Sequence, residues 1–355
     1  MKNKIVIALT FSLFCFTSAY AKNNNIPDNA IHSNVIQSNV IQSNVIQSNA
    51  IQYDTIVEQA YQKFKTEKAG DVADYIPALA KYSPDNYAVV IATVDGKIYS
   101  AGDKDALFPL ESLSKVFTLA LVMNQQGSEV VLEKLGANAT GLPFNSGLAI
   151  ELRPDRPQNP LVNAGAISAV SLIKAKNPDD RWQQIMENME AFADTKLTVN
   201  DEVYRSESET NQHNQALARL MQSYGMLYGN PDEAVDLYTR QCSVDATTVD
   251  LAKMGAVLAN QGKSPYNGKQ LLSAENTGKV LAEMAVAGLY DGSGTWLYQV
   301  GIPAKSGVGG GILAVVPGKY AVAVYSPPLD KAGNSVRAQA AIGYIAQETG
   351  ADLYK

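Results

Sequence analysis

Ser112-Leu113-Ser114-Lys115 places a hydroxyl and an amine three residues apart. On a helix that spacing brings both to one face, one turn apart. A serine hydroxyl is a weak nucleophile at neutral pH. A lysine becomes its base once burial or a neighbouring cation lowers the pKa of the amine. The pattern is cheap, since about one or two matches arise by chance in a chain of this size. A second match, Ser171-Leu172-Ile173-Lys174, is indeed present. It falls inside a helical pattern beginning near Val162, where the ordinary place of a serine is the helix surface. Ser112 instead follows Phe108-Pro109, where a helix should start. Free N–H groups at a helix N-terminus favour an anion, so the Ser112 N–H is well placed to hold an oxyanion.

Lys305-Ser306-Gly307 occurs once, on an expected strand, and is followed by Val308 and the run Gly309–Gly311. Glycines let backbone approach a substrate closely, and a strand N–H can complete an oxyanion hole. Together the two elements resemble the S-x-x-K and K-[ST]-G motifs of penicillin-recognising enzymes, which implies acyl transfer by a serine and a lysine.

Such groups need a scaffold, and from Tyr53 onward the chain reads as one α/β domain, residues 53–355. Ile56, Ala60 and Phe64 recur at helical spacing up to Gly70. Tyr87–Val94 and Lys97–Ala101 are β-rich runs around Asp95-Gly96, a strong hairpin signal. Residues 112–290 are mostly helical in pattern, with Pro231 opening a helix, Gly262 closing one and Ser273 as an N-cap. Strand patterns return at Gly301–Val308, Ile312–Val316 and Tyr320–Tyr325, and a helix over Ser335–Glu348 ends the chain. The expectation is an α/β protein of the α+β type, its antiparallel sheet built from both chain ends around a large helical insertion. A ligand cleft belongs where sheet and insertion meet.

Composition narrows the chemistry. The chain has 355 residues, 46% hydrophobic and 18% charged, which suits a folded domain and not a disordered one. Its net charge is -6, with no basic run, so it has no electrostatic footprint for nucleic acid or anionic lipid. Two histidines and two cysteines, one of each outside the expected domain, argue against a metal site, an internal disulfide or Ser-His-Asp chemistry. No cofactor is expected.

The first 21 residues read as an export signal. Lys2 and Lys4 precede an apolar stretch from Ile5 to Phe16, and Ala19-Tyr20-Ala21 offers small residues at the cleavage positions. About 12 apolar-rich residues are too few to span a bilayer. Cleavage leaves a periplasmic or secreted chain with no membrane segment. Residues 22–52 read as a low-complexity tether, in which SNVIQ occurs three times and SNAIQ once.

Further blocks carry a more specific resemblance. They are Asp74-Tyr-Ile-Pro-Ala-Leu-Ala80, Asn159-Pro-Leu-Val-Asn-Ala-Gly-Ala166, Ser206-Glu207 and His213-Asn214. Tyr238-Thr-Arg-Gln-Cys-Ser243, Leu258-Ala-Asn-Gln-Gly262, Tyr290-Asp291, Pro303–Val308 and Gly333-Asn-Ser335 follow. With Ser112–Lys115 this series resembles the serine-dependent glutaminase family, in order, from about residue 69 to the C-terminus. The resemblance implies a β-lactamase-like fold, hydrolysis of L-glutamine through an acyl-enzyme, and a homodimer or homotetramer. It implies Ser112 as nucleophile and Lys115 as its base, with the N–H groups of Ser112 and Val308 as the oxyanion hole. It further implies Tyr238 and Tyr290 at the reacting centre, Asn163, Glu207 and Asn214 around the amino acid end of the substrate, and Tyr75 in the pocket.

The residue types suit those roles. A carboxylate such as Glu207 is what an α-ammonium requires, and asparagine amides can satisfy both a carboxylate and an amide. The ordinary alternatives are that tyrosines pack with a hydrogen-bonded tip, that Glu207 sits on a solvated face, that Cys242 is a small buried packing residue, and that His213 lies at the surface or behind the pocket. Two other functions stay open at this point. One is a penicillin-recognising D,D-peptidase or β-lactamase, although the S-x-N or Y-x-N triplet of those enzymes is not among these blocks. The other is an exported amino-acid-binding protein, which would not need an intact nucleophile and base.

Overall fold

The computed structural model describes residues 52–355. The expected export signal and, apart from Gln52, the expected tether lie outside the described residues.

Eight strands are described: β1 (Ala88–Thr93), β2 (Ile98–Gly102), β3 (Phe108–Pro109), β4 (Thr198–Val199), β5 (Val244–Ala246), β6 (Ala304–Ser306), β7 (Gly311–Val316) and β8 (Tyr320–Tyr325). Five form an antiparallel sheet in the order β2-β1-β8-β7-β6. Its central pairing, Ala88 opposite Tyr325 through Thr93 opposite Tyr320, joins the two ends of the domain as the strand patterns predict.

Helix α1 (Tyr53–Phe64) precedes the sheet. The insertion carries α2 (Ser114–Gln126), α3 (Ser128–Lys134), α4 (Leu148–Leu152), α5 (Asn163–Leu172), α6 (Pro178–Ala193), α7 (Asp201–Thr210) and α8 (Gln212–Ser223). It continues through α9 (Pro231–Cys242), α10 (Thr248–Ala259), α11 (Ala274–Ala287) and α12 (Ser293–Val300), and α13 (Val336–Thr349) closes the chain. No described helix is long and apolar enough to cross a membrane.

β1 and β8 read AVVIAT and YAVAVY because both faces of the sheet are covered. Val90, Leu313, Val315 and Ala323 turn to one face and pack with Leu251, Met254 and Leu258 of α10. Their neighbours Val89, Ile91, Ile312 and Val322 turn to the other, against Val57 of α1 and Ile342 and Ile345 of α13. Each buried branched aliphatic side chain contributes about 1.5–3 kcal/mol, so sheet pairing and burial fix the same register.

Capping follows the sequence. Asn230 accepts from the Asp232 N–H with Pro231 in the first turn of α9, and Ser273 accepts from the Asn276 N–H. Gly262 stands three residues beyond the end of α10, at φ +80°, in the turn that follows.

Two expectations are corrected. The strand expected over Gly301–Val308 pairs only at Ala304–Ser306, because Gly301 is the left-handed cap of α12 and Gly307–Gly310 form a turn. A second sheet, β3-β5-β4, was not expected from the sequence. Strands of two and three residues carry no readable alternation.

Candidate active site

β3 ends at Pro109, and Glu111–Leu113 make one 3-10 turn before α2 starts at Ser114. Ser112 therefore sits just ahead of the helix it was expected to open, buried but lining a cavity of about 120 Å³. Lys115, in the first turn of α2, is 1% exposed. Burial pulls its amine down to about 8, against the opposing pull of Cys242, Glu111 and Glu207.

The Lys115 Nζ donates to Asn163 Oδ1 at 2.6 Å, and the Tyr238 hydroxyl donates to the same oxygen at 3.1 Å. Asn163 Nδ2 donates to Asn214 Oδ1 at 3.0 Å. Local sequence explains this convergence. Asn159 Oδ1 accepts from the N–H groups of Leu161 and Val162, closing the turn that delivers Asn163 as the first residue of α5. A Cβ at Gly165 would lie 1.8 Å from the Asn159 carbonyl oxygen, so only glycine lets helix and turn approach this closely.

Glu207 from α7, Asn214 from α8, Tyr238 from α9 and Val308 from the glycine turn line the same cavity. Tyr75 lines it at the mouth, 54% exposed. Burial drives the Glu207 carboxyl well above the carboxylate range, and the nearby Glu111 adds to the effect. Tyr290, just before α12, donates to the Ser306 carbonyl at 3.3 Å, and its hydroxyl also reaches Ser112. Burial raises the phenol, so it holds its proton at neutral pH. The N–H groups of Leu113, Gly307 and Gly310 are taken by backbone carbonyls, whereas those of Ser112 and Val308 are in none of the turn, loop or cap bonds among the described residues.

All nine residues singled out by the sequence thus converge on one site. The decoy does not. Ser171 is buried, not at the helix surface as expected: its Oγ donates to the Ser168 carbonyl and accepts the Tyr228 N–H. Lys174 is exposed and turns toward the Gln125 carbonyl. His213 is exposed at the rim, its Nε2 2.6 Å from the Asn145 carbonyl oxygen. Cys242 is buried as expected but does more than pack, since its Sγ lies within 4.8 Å of carboxyl oxygens of Glu111 and Glu207.

Two site residues escaped the sequence reading. Lys305, quoted there only as part of its triplet, is fully buried, with its amine bonded to the Ser306 carbonyl and 4.3 Å from the centroid of the Tyr290 ring. Burial, then the Lys115 charge, lowers its pKa. Glu111 is 2% exposed and lines the cavity next to Ser112. Its place directly before the nucleophile motif was the one available signal. Glu111 and Tyr290 both adopt left-handed backbone, at φ +49° and +56°. Such strain costs about 1–3 kcal/mol per residue and gathers where function over-determines a conformation.

Glu111, Glu207 and Cys242 are the one set of metal-type ligands that converges among the described residues. Burial keeps both carboxyls and the thiol toward their neutral forms, and the Lys115 amine faces the same cluster. That chemistry does not fit a divalent cation.

The glutaminase family model matches residues 70–354. The chain belongs to the glutaminase family. It is 53% identical over 300 residues to the glutaminase of Colwellia psychrerythraea, covering 84% of this chain and 96% of that one. Glutaminase 1 of Escherichia coli K12 is 50% identical over 299 residues, with the same coverage. Among solved structures, a probable glutaminase, ybaS, superposes with a TM-score of 0.83 at 50% identity, covering 85% of this chain and 98% of that one. A Bacillus glutaminase superposes at 0.74 with 31% identity, over 79% and 96%. The β-lactamase-like architecture and the enzyme class expected from the motifs therefore both hold.

Proposed function

We propose that the chain hydrolyses the side-chain amide of L-glutamine to L-glutamate and ammonia through an acyl-enzyme on Ser112. Neutral Lys115 takes the Ser112 proton as Oγ attacks the amide carbon. The N–H groups of Ser112 and Val308 hold the oxyanion, and a phenol, Tyr238 or Tyr290, passes a proton to the departing ammonia. Water then attacks the ester, Ser112 regains its proton, and L-glutamate leaves. Glu207 faces the α-ammonium of the substrate, Asn163 and Asn214 lie along its amino acid end, and Tyr75 closes the mouth.

The observation that carries this reading is the Lys115 amine, buried one turn from Ser112 and bonded to a neutral amide oxygen. A lysine held by a carboxylate would stay charged; one held by an amide can lose its proton. The experiment is ammonia release from L-glutamine by residues 22–355. Turnover that falls by three orders of magnitude or more in Ser112→Ala supports the reading. A folded wild-type protein that releases no ammonia overturns it, and acylation by a β-lactam would then favour the penicillin-recognising alternative.

Export is part of the same proposal, resting on residues 1–21. N-terminal sequencing of the mature protein that begins at Met1, or recovery from the cytoplasm alone, would refute it. Assembly as a dimer or tetramer is likewise proposed, with sedimentation as the check: a monomer at assay concentration refutes it.

A further inference from the structure

Glu111 has no part in the scheme above, yet it is among the most constrained residues of the site. Its backbone is left-handed, and its side chain runs along the glycine turn. A Cβ built on Gly307 would stand 3.5 Å from the Glu111 Cβ, and one on Gly309 would stand 3.4 Å from its Cγ. What demands glycine at these positions is the backbone, the Leu110 and Pro109 carbonyl oxygens lying 2.7 Å from the two Cβ sites, and the Glu111 side chain packs alongside the turn so formed. Its carboxyl comes within 4.8 Å of the Glu207 carboxyl. Glu111 Oε1 and Glu207 Oε2 are both buried without a hydrogen-bond partner. Both residues line one cavity, their two acceptors are unsatisfied, and an ammonium group brings three donors.

We infer that Glu111 is a specificity-determining residue: with Glu207 it forms a carboxyl pair that stays protonated before substrate binds and loses a proton as the substrate's α-ammonium enters. The inference rests on the proposed role of Glu207. Like charges this close cannot both persist in a buried site, so the pair keeps at least one proton. Lys115 is the amine facing it. Cys242, Tyr82, Tyr238 and Tyr290 are the other titratable groups around it, with Tyr75 and His213 at the cavity rim, and burial keeps Cys242, Tyr238 and Tyr290 in their neutral forms. An incoming ammonium supplies the positive charge that lets both carboxyls ionise, and the proton passes to solvent. An uncharged side chain in its place could not expel it.

The test is calorimetric titration of L-glutamine into Ser112→Ala at pH 7, in two buffers of different protonation enthalpy. The expected release is about 0.5–1 proton per glutamine bound. Adding Glu111→Gln should lower that count, because it removes one ionisable carboxyl and the like charge that, after burial, holds Glu207 protonated. An unchanged proton count overturns the inference. Should the double variant fail to fold, the affinity of Ser112→Ala alone decides: a rise of about tenfold from pH 6 to 8 is expected, and a flat profile overturns it. Glu207→Gln in the same background separates the two readings. If it leaves affinity unchanged, the role of Glu207 falls; if it weakens binding while Glu111→Gln leaves the proton count untouched, only the carboxyl pair falls.

Discussion

Asn163 Oδ1 accepts hydrogen bonds from both Lys115 Nζ, at 2.6 Å, and the Tyr238 hydroxyl, at 3.1 Å. One amide oxygen therefore joins α2, α5 and α9 beside the cavity that Ser112 and Asn163 both line. Being neutral, it orients the amine without trapping its proton.

Replacing that amide by its charged isostere tests the point. Asn163→Asp sets a carboxylate 2.6 Å from Lys115 and favours the ammonium form. We expect kcat/KM at pH 7 to fall by about two orders of magnitude, with partial recovery at higher pH as the lysine is finally deprotonated. Steady-state kinetics from pH 6 to 10 provide the check, and a loss that is flat across that range would point to misfolding instead.

The wild-type pH profile follows from the same lysine. A base works unprotonated, and burial lowers Lys115 to about 8. The free-enzyme profile of kcat/KM should therefore rise with pH and level off above about 8. An ascending limb near 10.5, the ordinary value, would remove Lys115 as the base.

Ser171 should matter for stability and not for turnover. Its hydroxyl donates to Ser168 and accepts from Tyr228, both internal bonds. Ser171→Ala is expected to lower unfolding free energy by about 1–2 kcal/mol, leaving kcat within twofold. Denaturant titration beside an ammonia assay would show both, and a collapse of kcat in a folded variant would contradict the assignment.

Glu283 on α11 is 4% exposed, Oε2 has no partner, and burial raises its carboxyl to about 8. The unfolded chain releases that proton near 4.5, so the native state binds more protons between the two values. Wild-type stability should fall as pH rises from about 4.5 to 8. Glu283→Gln removes the ionisation and should add on the order of 1–3 kcal/mol at pH 8, the gain fading at pH 4. Equal thermal shifts at both pH values would contradict it.

What the sequence determined by itself is what local pattern can encode. The apolar runs of β1 and β8, the hairpin at Asp95-Gly96, and the caps at Asn230 and Ser273 depend on near neighbours, and they appear where the residues put them. Ser112 and Lys115 were legible because three residues of chain hold them together. Both S-x-x-K matches satisfy that local rule equally, and only the tertiary structure separates them, burying Lys115 and leaving Lys174 in water. Burial is what lowers an amine, and burial is a property of the packed whole. The same holds for Glu111, whose neighbour Glu207 is 96 positions away, and for the oxygen of Asn163, which Lys115 and Tyr238 reach from opposite sides in sequence. Spacing can nominate such groups, but the distances that set their charges exist only after the sheet and the helical insertion have closed on each other.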